Sequence, residues 1–184
     1  MLGRVVVLNG VSSVGKSSTA REIQRLASAP FLHMAMDTFL DMLPPRVLNH
    51  PDGWSFETWI EDGHPAVAIH SGILVTRMLA GMRRAVAAMA SQGNNVVVDD
   101  VMFEPGEDED YRTVLQDYDL RIVGLRAPLE TIEARERARG DREIGLARWQ
   151  FERVHRARRY DLELDTSLES PEASAARIVR AFDL

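Results

Sequence analysis

The chain has 184 residues, 45% of them apolar and 27% charged, with a net charge of −6 and no cysteine. The missing thiols exclude disulfides, thiolate catalysis and cysteine metal sites, and fit a cytoplasmic protein. No apolar run approaches the roughly 20 residues of a spanning helix, and the acidic balance gives no broad basic face, so neither a membrane nor a nucleic acid is expected as a partner.

The first predicted element is "RVVVLN" (4–9), nearly continuous valine, as in a strand buried on both faces of a parallel sheet. Its length and flanks read as a strand, not a secretory signal. Residues 10–17, "GVSSVGKS", follow at once and match G-x-x-x-x-G-K-[ST] in full. Gly10 and Gly15 let the backbone curl, so that amides from Val11, Ser12, Ser13, Val14 and on through Ser18 converge on one anion. A helix predicted over 16–28 adds its positive dipole end. Lys16 is the only lysine in the chain. A compact ammonium suits a phosphate tucked into a backbone loop better than a planar guanidinium does, and it can reach the β- and γ-phosphates of ATP. The Ser17 hydroxyl is a candidate ligand for Mg²⁺. The competing reading, a chance glycine-serine turn, leaves the flanking strand and helix unexplained. With no second lysine, the guanine-reading Asn-Lys-x-Asp of a GTPase is excluded.

"FLHMAM" (31–36) is the second strand and leads into Asp37 and a short helix that Pro44 stops. Asp37 reads two ways: as a cap for residues 38–43, or as a base taking the proton of an attacking hydroxyl. Asp41, one turn on, is the fallback base. Residues 44–72 break the rhythm with four prolines, three glycines and two of the three tryptophans. The alternation in "WSFETW" and "AVAI" predicts a small hairpin outside the main sheet. Residues 44–70 are either a surface elaboration or an acceptor-side insertion.

After a helix over 71–91, "NVVVDD" (95–100) ends the third strand in Asp99 and Asp100. A carboxylate there is placed to hold magnesium, and alternation along the strand turns only one of the pair toward the site. Asp99 is favoured over Asp100, with an ordinary strand-end turn as the alternative. A helix over 108–117 and a strand over 120–126 precede a helix over 128–139, opening at Pro128. In it Arg135 and Arg139 share a face, Gly140 breaks the helix, and Arg142 follows. This predicts a lid over 135–148 that brings guanidinium groups onto the transferring phosphate; the alternative is a solvated helix paired internally through its glutamates. A helix over 143–158 is expected to carry "RVHRARR" (153–159) on a solvated face. A strand over 160–165 and a helix over 171–182, capped by Ser170, complete the chain. The histidines at 33, 50, 64, 70 and 155 lack metal-ligand spacing and are expected to be structural or on the surface, unless His64 or His70 lines the acceptor pocket. The alternation of strands and helices predicts a single doubly wound α/β domain with right-handed crossovers.

"LNGVSSVGKSS", "MDTFLDMLP", "VVVDDV", "RERARGDR" and "YDLELDT", in this order, resemble the chloramphenicol phosphotransferase family of P-loop kinases, similar in fold to shikimate and adenylate kinases. The resemblance covers nearly the whole chain. It implies a five-stranded parallel sheet and ATP-dependent phosphorylation of a primary hydroxyl on a small alcohol, chloramphenicol in the family's name. It also implies Asp37 as the base, with Arg139 and Arg142 as lid arginines. Trp54, Phe56 and Trp59 depart from the pattern where the family shapes its acceptor pocket, so a sugar, a shikimate-like molecule or a nucleotide stays open as acceptor. An ATP-responsive binding protein without an acceptor is the alternative outside enzymes.

Overall fold

Every residue of Val5–Asn9 (β1) is buried, the apolar run of 5–8 by its own character and Asn9 with hydrogen bonds to Val154 O and Tyr160 Oη. The computed structural model describes residues 2–61, 63–140 and 143–184. Phe31–Ala35 (β2), Asn95–Asp100 (β5), Leu120–Arg126 (β6) and Leu162–Asp165 (β7) join β1 in one five-stranded sheet of order β2-β5-β1-β6-β7. All four pairings are parallel. The first strand is therefore central. The chain leaves it toward β2 on one side and later crosses to β6 on the other, and crevices of open α/β sheets form where the order reverses in this way.

Lys16–Leu26 (α1) packs with Pro171–Phe182 (α7) on one face, and Ile73–Ser91 (α3) packs with Glu107–Val114 (α4) and β5 on the other. The core lies between these layers, with Val6, Val97, Ile122 and Leu125 at 1% exposure or less. Each such side chain contributes about 1.5–3 kcal/mol relative to exposure. Ser170 caps α7, its hydroxyl accepting from Ala173 N. Trp54–Glu61 (β3) and His64–Ser71 (β4) form a separate antiparallel hairpin, as the alternation of "WSFETW" and "AVAI" predicted. Among the described residues, no helix is long and apolar enough to cross a membrane.

Two local expectations are corrected. The helix over 143–158 is only Leu146–Phe151 (α6), followed by turns. Ala157 takes a left-handed φ of 55°, and the Arg158 side chain is drawn into a buried ion pair with Asp108, so this basic stretch is not simply a solvated helix face. Asp37 is not the cap of its helix. Met36–Leu40 (α2) starts after Ala35, and Asp37 lies inside its first turn. Ahead of the hairpin, residues 45–47 make one 3₁₀ turn begun by Pro45.

Candidate active site

The loop after β1 turns because Gly10 comes too close to its neighbours for any side chain. A Cβ there would stand 2.6 Å from the Leu125 carbonyl and 2.8 Å from Val14 Cγ1. Gly15, at φ 108°, redirects the chain into α1. Between them the backbone closes on itself, and Lys16 Nζ donates to the carbonyls of Gly10 at 2.9 Å and Val11 at 3.0 Å. The ammonium is 7% exposed. It is held at the mouth of the loop by weak acceptors, which a phosphate oxygen would outcompete.

Ser17, one residue on, donates from Oγ to Asp99 Oδ2. Asp99 Oδ1 lies 3.9 Å from Lys16 Nζ, and Oδ2 lies 3.8 Å from His33 Nε2, an ion-pair separation rather than a hydrogen bond. Burial works to raise the Asp99 carboxyl. The His33 ring, the Lys16 ammonium and the Ser17 hydroxyl outweigh it and hold the group below the ordinary carboxylate value. Asp100 is turned to the other side of β5. Its carboxylate accepts from Tyr111 Oη at 2.8 Å and from Val101 N at 2.8 Å, near the Arg83 guanidinium. Burial raises its carboxyl. The strand thus brings Asp99 to the cradle and does not bring Asp100.

A cavity of about 840 Å³ opens at the loop. Ser12, Ser13, Val14, Gly15, Lys16, Ser17, Ser18 and Asp99 border it. Arg21, Thr166, Ser167 and Pro171 line it too, as do Met36, Asp37, Leu40, Trp54, Phe56 and Ile69. Half-buried Asp37 therefore shares one space with the phosphate loop, whereas Asp41 is exposed and not in this lining. Arg139 is exposed and borders the cavity. Arg135 borders it too, with its guanidinium engaged by Val14 O at 3.3 Å, Thr166 Oγ1 at 3.1 Å and Thr166 O at 2.7 Å. It ties the loop to the end of β7. Arg142 lies outside the described residues. His64 and His70 are exposed and absent from the lining, and His70 faces Glu57 at 3.3 Å instead.

Three residues that sequence reasoning missed belong to this site. Thr166 donates to Val14 O at 2.7 Å, and His33 stands beside Asp99. Gln150 Oε1 accepts from Ser12 N at 2.7 Å. Only Gln150 left a signal: with Leu146, Ala147 and Val154 it forms the buried stripe of its segment, and a carboxamide is foreign to such a stripe. Among the described residues, no three histidine, aspartate or glutamate side chains gather as a metal centre.

The family described as chloramphenicol phosphotransferase-like protein matches residues 3–183. A Mycobacterium tuberculosis protein carrying the provisional name O-phosphotransferase is 32% identical over 170 residues, which is 90% of this chain and 76% of that protein. Solved structures share the fold. The APS kinase of Mycobacterium tuberculosis, in complex with AMPPNP and APS, superposes with a TM-score of 0.68 at 17% identity, covering 100% of this chain and 99% of that one. A sugar kinase from Janibacter gives 0.68 at 19% identity, with 98% and 95% covered. A gluconokinase from Sinorhizobium meliloti gives 0.62 at 15%, with 98% and 91% covered.

Proposed function

We propose, from the premise that this chain belongs to the chloramphenicol phosphotransferase-like family, that it transfers the γ-phosphoryl group of ATP to a hydroxyl of a small alcohol with an apolar, ring-bearing body, chloramphenicol or a molecule like it. The observation that carries this reading is the single cavity in which the phosphate loop, the Asp37 carboxylate and an apolar wall of Trp54, Phe56 and Ile69 meet. A sugar acceptor calls for a dense set of polar partners, whereas apolar and aromatic side chains favour a hydrophobic body with few polar handles.

In this reading the loop amides and Lys16 hold the β- and γ-phosphates, and Lys16 gives up its two carbonyl partners to do so. Ser17 and Asp99 would hold magnesium, which supplies charge neutralisation at the phosphate oxygens when bound. One hydroxyl and one carboxylate fit this ion, which takes few protein ligands and fills its shell with phosphate and water. Asp37 accepts the proton of the acceptor hydroxyl. The acceptor oxygen bonds to the γ-phosphorus as the bond to the β–γ bridging oxygen breaks, and ADP leaves with that electron pair. Arg139 reaches over the transferring group from the end of the helix Leu129–Arg139 and limits access of water. The hairpin forms the acceptor-side wall.

The test is acceptor-dependent ADP release across a panel of chloramphenicol, other aromatic alcohols, sugars and nucleosides, each product read by the mass gain of one phosphoryl group. Turnover with ring-bearing alcohols is expected. Turnover with sugars alone would overturn the acceptor assignment. Nucleotide binding without ADP release for any alcohol would leave an ATP-responsive binding protein in place of a kinase.

A further inference from the structure

Gln150 is 3% exposed and borders the cavity, although it sits on a short helix some 138 residues along the chain from the loop it touches. A backbone N–H can only donate, so the oxygen of the carboxamide is the atom fixed against Ser12 N. The nitrogen of the same planar group is consequently turned away from Ser12, with two N–H donors to offer.

The helix that carries Gln150 is fastened from two sides. Glu136, on Leu129–Arg139 (α5) and 1% exposed, accepts from Gly145 N at 2.9 Å and from Ala147 N at 2.8 Å. Gly145, at φ 100°, lies so close to the hairpin that a Cβ would stand 2.3 Å from the Pro65 carbonyl. Leu146 borders the same cavity. The helix thus joins the hairpin wall to the phosphate loop, and Gln150 is the side chain that bridges the junction. The phosphate that faces an acceptor is the terminal one, because it is the one transferred.

We infer that Gln150 is a further catalytic residue that binds the terminal phosphoryl group: anchored by its carbonyl on Ser12 N, it donates from Nε2 to a γ-phosphoryl oxygen and so distinguishes a triphosphate from a diphosphate. The inference rests on the phosphotransferase reading above. A donor aimed where the transferring group sits strengthens as charge moves during transfer. The rival role is that of a splint, in which Gln150 only satisfies the Ser12 amide.

The two roles part in a calorimetric titration of the full chain with Mg·ADP and Mg·AMPPNP. Gln150→Glu keeps an acceptor for Ser12 N and replaces the donor with an anion; Gln150→Met removes the donor without adding charge. Both variants are expected to weaken Mg·AMPPNP about 10- to 100-fold relative to Mg·ADP, Gln150→Met by the loss of a hydrogen bond to a charged group and Gln150→Glu with repulsion between anions added. Gln150→Glu binding both nucleotides like wild type would leave only the splint and overturn the inference. Equal weakening toward both nucleotides would overturn it as well. If Gln150→Glu does not fold, Gln150→Met carries the test through the ratio of the two affinities, since loss of the Ser12 N partner weakens both nucleotides alike and loss of the donor weakens Mg·AMPPNP selectively. A wild-type chain that binds Mg·ADP but shows no gain for Mg·AMPPNP refutes the role of Gln150 alone, whereas one that binds neither nucleotide refutes the phosphotransferase reading with it.

Discussion

Ser17 Oγ donates to Asp99 Oδ2 at 2.5 Å, across 82 residues of sequence. Two oxygens suited to one hard cation therefore face each other, while Asp100, the next residue, is committed to Tyr111. Asp99→Asn is expected to raise the magnesium concentration needed for half-maximal turnover by about tenfold or more, as loss of a charged ligand weakens a site built from few protein oxygens. Asp100→Asn is expected to leave that requirement unchanged and to lower the melting temperature instead. A magnesium titration of both variants reads the difference.

Lys16 is the only lysine of the chain, and its removal deletes the ammonium held by the loop carbonyls. Lys16→Ala should weaken Mg·ADP by about 10- to 100-fold, on the scale of a charge-assisted contact, without changing the far-ultraviolet circular dichroism. Lys16→Arg should recover little of this affinity, because the planar fork does not fit where a point charge sat. Calorimetry with each variant is the check.

Asp37 borders the cavity without belonging to the loop, so binding and chemistry should separate there. Asp37→Asn is expected to hold nucleotide affinity within about twofold and to lose about 10²- to 10⁴-fold in kcat, the usual worth of a general base. Turnover at the wild-type rate would remove Asp37 from that role.

Glu107 gives a prediction in pH. Burial, and behind it the Asp100 charge, push its carboxyl up to about 7 from 4.5. The native state then binds more protons than the unfolded chain between these values, so this contribution to stability is full below about pH 4.5 and is lost as pH rises through about 7. Relative to Glu107→Gln, the wild type should be most favoured near pH 4.5 and lose that advantage by pH 7.5. Paired thermal melts across this range are the measurement; a wild-type advantage that grows with pH contradicts the assignment.

Gly145→Ala should cost about 2–4 kcal/mol, combining a left-handed φ imposed on a side chain with overlap against the Pro65 carbonyl. Urea unfolding measures it. The turnover of the folded fraction should fall too, since the same step holds α6 against the hairpin.

The legible parts of this molecule are those settled over short stretches of chain. The unbroken valines of 5–7 and 96–98 announce strands buried on both faces, and the run from Gly10 to Ser17 writes its own loop. Alternation along β5 separates Asp99 from Asp100, because adjacent side chains on a strand point to opposite faces. The rest depends on partners far apart in sequence. Gln150 meets Ser12, Thr166 meets Val14, and Arg158 leaves the expected helix face for Asp108. Nothing within several residues of Arg158 marks it for burial; the acid that neutralises it lies 50 positions away. The helical pattern of the sequence runs on past Phe151, where the chain turns toward this distant pairing.

Among the described residues, the β3–β4 ribbon shares no hydrogen-bond ladder with the five-stranded sheet. In the phosphotransferase reading proposed above, the alcohol is met by a ribbon that reaches the phosphate loop by way of α6. Changes at Trp54, Phe56 or Ile69 that shift the ribbon are therefore expected to reach the seat of the triphosphate through Gly145 and Gln150, so a lineage built on this plan changes its alcohol and its phosphate-handling half together.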